Sequence, residues 1–318
     1  MKIVVLDSHA LNPGDLSWDT LRAIGELQVF DRTADNQIVE RARDAEIVLT
    51  TRTPLPEQIL RQLKQTRYIG VLFTGYDVVD TKAARDLKIT VTNVPTYATA
   101  STAEFSFALL LELCHHVGLH AEATRAGEWS RSTDFTFRKT PLIELAGKTM
   151  GIIGLGRIGR RVAEIAMAFE MRVIAADQIR GAVPDWPNFR WHEVDDLLTQ
   201  ADVVSLHCPL LPQTRGIINS KSLGLMKPSA FLINASRGLL VVEQDVADAL
   251  NNGRIAGAAV DVLSSEPSSP DNPLLRAKNC IVTPHIAWAT REARTRLLNT
   301  AIANVRAFLE GHPVNVVD

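Results

Sequence analysis

The chain has 318 residues, 46% of them hydrophobic and 22% charged, with a formal net charge of −2 at neutral pH. That is the make-up of a globular protein with room for two domains of ordinary size. It lacks the basic stripe of a nucleic-acid binder, the Lys/Arg-rich helix of a membrane-surface protein and the roughly 18 apolar residues of a membrane span, so a small-molecule partner is expected.

The amino-terminal run MKIVVLDSHA reaches Asp7 too early for the apolar core of a signal peptide, and the default compartment is the cytoplasm. In chain order, short apolar runs predict strands at Ile3–Leu6, Gln28–Phe30, Ile47–Thr50, Tyr68–Phe73 and Thr90–Thr92. Helices are expected between them, as at Pro56–Leu63 and Val79–Leu87. Ser101–His120 follows, with Phe105, Phe107, Leu109, Leu110, Leu111 and Leu113 close together. A helix apolar on nearly all sides must be buried on nearly all sides, between domains or against a second subunit. Gly127–Pro141 then carries Trp129, Phe135 and Phe137 without regular spacing, as a packing arm or a lid.

A second strand series runs through Thr149–Ile153, Arg172–Ala175, Val203–Leu206, Ala230–Asn234, Ala256–Val260 and Ile281–Thr283. Two such series, each alternating with helices, predict an α/β protein of two doubly wound domains. The stretch Thr290–Leu309 reads as a last helix, with Ala293, Leu297, Leu298, Ala301, Val305 and Phe308 on one side. It comes after the second series is complete, so it is free to return to the first domain and make that domain discontinuous.

The motif TMGIIGLGRIGRRVAEIAMAF places Gly154, Gly156 and Gly159 after an apolar strand and at the start of an amphipathic helix. A GxGxxG match alone is weak, but this context is the one a dinucleotide site requires. The first glycine makes the turn, the second admits a pyrophosphate and the third lets helix and strand pack closely. The next strand ends in Asp177, 21 residues beyond Gly156. A carboxylate there accepts from ribose hydroxyls and repels a 2′-phosphate, which favours NAD over NADP. Arg180, close by, softens that preference.

Beyond the ends of later strands stand Arg237 after FLINAS, Glu266 after AAVDVLSS and His285 after CIVTP. Ligands of open α/β sheets bind outside the carboxyl ends of strands, so the three can converge. Taken singly, each has a plain alternative: a surface charge, a loop carboxylate, a satisfied buried histidine. Taken together, they meet the needs of hydride exchange with a 2-keto acid. An arginine fork grips a carboxylate and an imidazole exchanges a proton near neutral pH. A carboxylate beside that imidazole stabilises its protonated form and fixes its orientation. The three cysteines, Cys114, Cys208 and Cys280, form no CxxC pair, so neither a disulfide framework nor a metal site is expected.

These motifs resemble the D-isomer-specific 2-hydroxyacid dehydrogenase family. The matching residues are Gly154-Leu155-Gly156-Arg157-Ile158-Gly159, Asn234-Ala235-Ser236-Arg237-Gly238, Asp261-Val262 with Glu266-Pro267, and Thr283-Pro284-His285-Ile286-Ala287. Thr74-Gly75-Tyr76-Asp77, Asn93-Val94-Pro95 and Ala103-Glu104 extend the likeness over most of the chain. The resemblance implies a Rossmann NAD-binding domain at 99–289 and a discontinuous, flavodoxin-like substrate domain at 1–98 and 290–318. It implies catalysis by Arg237, Glu266 and His285, with Arg52, Thr74, Gly75, Arg237 and His285 on the substrate. The cofactor is expected at Gly154, Gly156, Arg157, Ile158, Gly159, Asp177, Cys208, Ala235, Ser236, Asp261, Thr74, Thr102, His285 and Ala287. A small 2-hydroxy or 2-keto acid, NAD and a homodimer are the implied partners.

Within the family, Asp134-Phe135, Pro141-Leu142-Ile143-Glu144-Leu145-Ala146-Gly147-Lys148 and His285-Ile286-Ala287-Trp288 look like the glycerate dehydrogenase (hydroxypyruvate reductase) branch. By analogy, Phe135 or Phe137 reaches a neighbouring subunit's active site. Two positions depart from the pattern: Glu170 stands where a glycine is usual, and Thr102 replaces an apolar residue beneath the nicotinamide. Remaining alternatives are a formate, phosphite or phosphoglycerate dehydrogenase, the last often with an added regulatory domain, and a non-enzymatic NAD-sensing protein.

Overall fold

The computed structural model describes residues 1–186 and 189–317. The chain divides into two compact units: Met1–Ala98 with the C-terminal segment from Ala289, and Thr99–Trp288. The second crossing lies one residue before the expected boundary, so Ala289 belongs with the segment entering the last helix.

The first unit holds β1 (Lys2–Val5), β2 (Glu26–Val29), β3 (Ile47–Thr50), β4 (Tyr68–Val71) and β5 (Thr90–Thr92). They form a parallel sheet in the order β2-β1-β3-β4-β5, the flavodoxin-like winding. Strands β3 and β4 are buried at every residue, and β1 at all but its first. Burial on both faces explains why they read as continuous apolar runs instead of alternating ones. The edge strand β2 does alternate, between exposed and half-buried residues. β1, β2 and β4 end one or two residues before their expected limits, and β2 begins two residues earlier. The helices expected at Pro56–Leu63 and Val79–Leu87 shorten to Glu57–Leu60 and Thr81–Asp86.

The last helix, Arg291–Leu309, begins where Thr290 Oγ1 accepts the Ala293 N–H at 3.2 Å. It packs in the first unit, with the Phe308 ring 4.9 Å from that of Tyr68. Arg294, almost wholly buried, grips both carboxylate oxygens of Asp15 at 2.7 Å. Asn304 Nδ2 donates to the Asn93 carbonyl at 2.9 Å. These polar anchors and the apolar stripe return the chain's end to its first domain.

The second unit holds β6 (Thr149–Ile153), β7 (Arg172–Ala176), β8 (Arg190–Trp191), β9 (Val203–Leu206), β10 (Phe231–Asn234), β11 (Gly257–Val260) and β12 (Cys280–Val282). All pair in parallel, in the order β12-β11-β10-β9-β6-β7-β8. Successive side chains go to opposite faces. Met150, Ile152, Val173, Ala175, Phe231 and Ile233 enter one apolar cluster; Ile153, Ile174, Ala176, Leu232, Ala258 and Val260 enter the other. The strand order reverses between β6 and β9, opening the crevice where doubly wound sheets bind ligands. Strand β8 was not expected: two residues, paired with Ile174 and Ala175, are too few to show a period.

One expected helix breaks in two. Thr99–His115 ends at His116, which takes the left-handed conformation (φ +46°), and Val117–Arg125 continues as a separate helix. The first helix lies on the β10–β11 face and on the helix Arg157–Ala168 of its own unit, and Phe107 stacks on Phe169 at 5.4 Å. Phe107, Leu109, Leu110 and Leu113 are buried there, while Phe105 and Leu111 remain half-buried. In the following loop Trp129 Nε1 donates to the Phe135 carbonyl at 3.1 Å, while the Phe135 side chain is 90% exposed.

Candidate active site

The glycine turn joins β6 to the helix Arg157–Ala168. Gly154 has φ +96°, and a Cβ on it would sit 2.4 Å from the Cys208 nitrogen; one on Gly159 would sit 2.2 Å from the Gly154 carbonyl oxygen. Both are glycine because backbone occupies the side-chain position. Gly156 differs: a Cβ there would meet nothing within 4 Å. The protein's own packing does not require that glycine, so the clearance serves a group from outside. Gly156 is also the helix N-cap, with no side chain accepting from the first turn. Unsatisfied N–H groups and the positive end of the helix dipole therefore face that clearance. A pyrophosphate fits there in size and charge.

A cavity of about 670 Å³ runs over the turn, bounded by Asp177–Arg180, His192–Val194 and the Cys208–Ile217 segment. Asp177 follows β7; its Oδ2 accepts the Leu155 N–H at 2.7 Å and its Oδ1 the Ile179 N–H at 3.2 Å. A carboxylate has about four acceptor sites, so capacity remains for ribose hydroxyls. Arg180, at the rim, lies 2.5 Å from Glu193 and donates to the His192 carbonyl at 3.1 Å. A 2′-phosphate would have to compete with Glu193 for that cation. Arg157 is exposed and Ile158 half-buried in the first helical turn. Burial pushes the Cys208 thiol up to about 11, so it stays protonated and packs as a small apolar group.

Strands β10, β11 and β12 are neighbours, so their carboxyl ends lie side by side. Past β10, Ala235 and Ser236 are half-buried, and Ser236 Oγ donates to the Cys208 carbonyl at 2.9 Å. Arg237 is exposed, its Nη1 donating to the Ser236 carbonyl at 2.8 Å. The next residue explains part of the motif: a Cβ on Gly238 would lie 2.0 Å from the Leu263 carbonyl carbon. Glycine there lets the segment leading to Glu266 close against the Arg237 strand end.

Glu266 Oε2 lies 2.7 Å from His285 Nδ1, and Glu266 Oε1 accepts the Leu263 N–H at 3.2 Å. The two side chains are 26% and 22% exposed, reachable by solvent yet largely enclosed. His285 itself has φ +55°, rare for a residue with a side chain. Asp261, 1% exposed, holds it there. Its carboxylate accepts Thr283 Oγ1 at 2.6 Å, the Ile286 N–H at 2.9 Å and the Ala287 N–H at 2.8 Å. Burial pushes the Asp261 carboxyl above its usual value, opposed by those three bonds and by the nearby His285. Ser101 Oγ donates to the Ala287 carbonyl at 2.5 Å, next to the buried Thr102. Ser101 carried no sequence signal, because its partner lies 186 positions away.

The structure therefore joins His285 to Glu266 and seats the Arg237–Gly238 step on the Glu266 segment. The Arg237 guanidinium is turned to its own neighbour's carbonyl. In the first unit, Thr74 Oγ1 donates to the Val94 carbonyl at 2.9 Å and the Thr74 carbonyl accepts Asn93 Nδ2 at 2.7 Å. Gly75 is half-buried, and Arg52 is exposed on the turn after β3. His207, overlooked in the sequence, follows β9 behind the glycine turn. Its Nε2 lies 2.8 Å from Ser205 Oγ, its buried Nδ1 has no hydrogen-bond partner, and burial depresses its pKa to about 4. Among the described residues, no group of three or more His, Cys, Asp or Glu could hold a metal, and no helix is long and apolar enough to cross a membrane.

Comparison with known proteins identifies the family. Residues 107–287 match the family model described as D-isomer specific 2-hydroxyacid dehydrogenase, NAD binding domain. The chain is 50% identical over 321 residues to a hydroxypyruvate reductase of Blautia hydrogenotrophica, covering all of both chains. It is 38% identical to a glycerate dehydrogenase of Methylorubrum extorquens, covering 100% of this chain and 99% of that one. Among solved structures, the TT0316 protein from Thermus thermophilus superposes with a TM-score of 0.87 at 34% identity over the whole of both chains. The protein is thus a member of the D-isomer-specific 2-hydroxyacid dehydrogenase family, and NAD is its cofactor.

Proposed function

We propose that the protein reduces a small 2-keto acid, hydroxypyruvate foremost, to the D-2-hydroxy acid, working as a homodimer in the cytoplasm. The observation that carries this reading is the 2.7 Å pairing of His285 Nδ1 with Glu266 on the carboxyl edge of the sheet that bears the glycine turn. The pairing places the Nδ1 proton on the glutamate side, so Nε2 is the atom that exchanges a proton with substrate. In reduction His285 Nε2 gives its proton to the keto oxygen; in oxidation it takes one from the hydroxyl. Bound NADH supplies the hydride that C2 receives. Glu266 pairs with Nδ1 and keeps the ring from turning.

Arg237 is assigned the substrate carboxylate and keto oxygen, its planar fork suiting both once it leaves the Ser236 carbonyl. Arg52, Thr74 and Gly75 are assigned the remaining substrate contacts. The pyrophosphate belongs over Gly154, Gly156, Arg157, Ile158 and Gly159, and the adenine ribose at Asp177. Cys208, Ala235, Ser236, Asp261, Ala287, Thr74 and Thr102 are assigned to the rest of the cofactor. The names of the two relatives support hydroxypyruvate and glycerate as the substrate pair. Exposed Val117, Leu119, Trp129, Phe135 and Leu142 support the dimer; a sedimentation mass of one chain would refute it. Three free cysteines suit a reducing compartment.

The test follows loss of NADH absorbance with hydroxypyruvate, glyoxylate, pyruvate and phenylpyruvate. Hydroxypyruvate is expected to give the highest kcat/KM, and His285→Ala to lower kcat at least ~100-fold with NADH affinity retained. Turnover of none of the four acids would end the proposal.

A further inference from the structure

The turn that presents Arg52 is built around a residue to which no function has been attached. Asp7 follows β1, and β1 pairs with β3, whose end leads into Thr51, Arg52 and Thr53. The Asp7 carboxylate accepts the backbone N–H of all three: Thr51 at 2.7 Å on Oδ1, Arg52 at 2.5 Å and Thr53 at 2.8 Å on Oδ2. Thr51 Oγ1 donates to the Asp7 carbonyl at 3.1 Å. Thr50 Oγ1 lies 3.2 Å from both Asp7 Oδ1 and the Thr53 carbonyl, sharing one proton between them. Thr50, Thr51 and Thr53 are buried while Arg52 alone is exposed.

Three successive N–H groups form a concavity of the kind that binds anions, and here the protein supplies the anion itself. Charge-assisted bonds are about twice as strong as neutral ones. They lock the backbone on both sides of Arg52, whose side chain is exposed. An arginine that must meet a carboxylate in a planar, two-pronged geometry loses its grip if its Cα wanders by an ångström.

We propose that Asp7 is a positioning residue for substrate binding: its carboxylate sets the Arg52 turn, and through it the affinity for the 2-keto acid. This rests on the assignment of Arg52 to substrate above. Asp7→Asn keeps the shape but turns an amide NH2 toward one set of N–H donors, so the turn opens on that side.

The experiment is a double-mutant cycle of Asp7→Asn and Arg52→Ala, with KM and kcat for hydroxypyruvate, NADH affinity by fluorescence titration and Tm for each protein. Asp7→Asn is expected to raise KM at least ~10-fold, with kcat changed less than about threefold and NADH affinity unaltered. In the Arg52→Ala background its effect on KM should vanish, because coupled residues are not additive. A purely structural role would lower Tm and persist in that background, and either persistence or an unchanged KM overturns the proposal. If Arg52→Ala alone leaves KM unchanged, the assignment of Arg52 itself falls and this inference with it. Should Asp7→Asn fail to fold, Thr50→Val decides: it removes only the shared hydroxyl. A KM raised two- to threefold at normal Tm supports the role of Asp7, and a wild-type KM overturns it.

Discussion

Two turns at the carboxyl edge of the second unit solve one problem, holding a left-handed backbone in place, by opposite means. After β6 the positive φ falls on Gly154, which adopts it without a side-chain penalty. After β12 it falls on His285, whose imidazole the chemistry needs and whose side chain makes that conformation costly by roughly 1–2 kcal/mol. The second turn therefore carries a buried carboxylate, Asp261, that takes two of its N–H groups and the Thr283 hydroxyl. A turn that only has to make room uses glycine; a turn that must present a side chain uses a polar clamp. The two also differ in charge. Behind the glycine turn sits His207, kept neutral by burial, and behind the histidine turn sits a carboxyl that burial pushes upward.

The severest way to break this comparison is Asp261→Ala. It is expected to lower kcat about 100-fold, on the scale of losing the general acid itself, with His285 still present but unclamped. A kcat within threefold of wild type would show that the turn holds itself. Next is Gly238→Ala, where the new Cβ meets backbone at Leu263 and Ser264 that cannot step aside. Overpacking of this kind costs about 1–3 kcal/mol, and urea unfolding should show that loss; an unchanged midpoint would contradict the tight seat of the Glu266 segment.

Acid sharpens the comparison. His207 has a folded pKa of about 4 against 6.5 when unfolded. The unfolded chain then binds more protons, so the stability His207 contributes is full above 6.5 and is lost as pH falls toward 4. One proton corresponds to about 1.4 kcal/mol per pH unit in that window. Asp261 acts in the other sense: its raised carboxyl weakens the fold as pH rises from 3.8 through its folded value. His207→Gln should flatten the loss of stability between pH 6.5 and 4 in urea titrations. A slope equal to wild type would mean that the imidazole is not the buried group at work.

The smallest effect expected is at Glu170, a non-glycine residue at φ +58°. Glu170→Gly relieves that conformation at the cost of extra freedom in the unfolded chain. A gain of about 0.5–1 kcal/mol in chemical unfolding is the expected result, with kcat and KM untouched. Destabilisation would mean that the side chain makes contacts worth more than the strain.

The glycine turn was readable from residue types because its function is local: three glycines, a strand before and a helix after. The same holds for β3, β5, β6 and β9, whose limits the apolar runs mark residue for residue. Arg237, Glu266 and His285 were readable as candidates because each stands just past an apolar run. Their arrangement was not, since Glu266 reaches His285 across 19 residues and Asp261 reaches Ala287 across 26. The break at His116 was missed because apolar spacing continues through it, and β8 because two residues carry no pattern.

By itself the sequence determined the alternation of strands and helices in both series, the dinucleotide turn and the chemical types available at the strand ends, because all of these depend on neighbours a few residues apart. Only the tertiary structure decided which carboxylate clamps which turn: Asp7 on residues 51–53, Asp177 on Leu155, Asp261 on residues 286 and 287. In a parallel sheet the end of one strand lies beside the end of another far away in the chain. A carboxylate finds its N–H partners there by register, which residue spacing along the chain does not reveal.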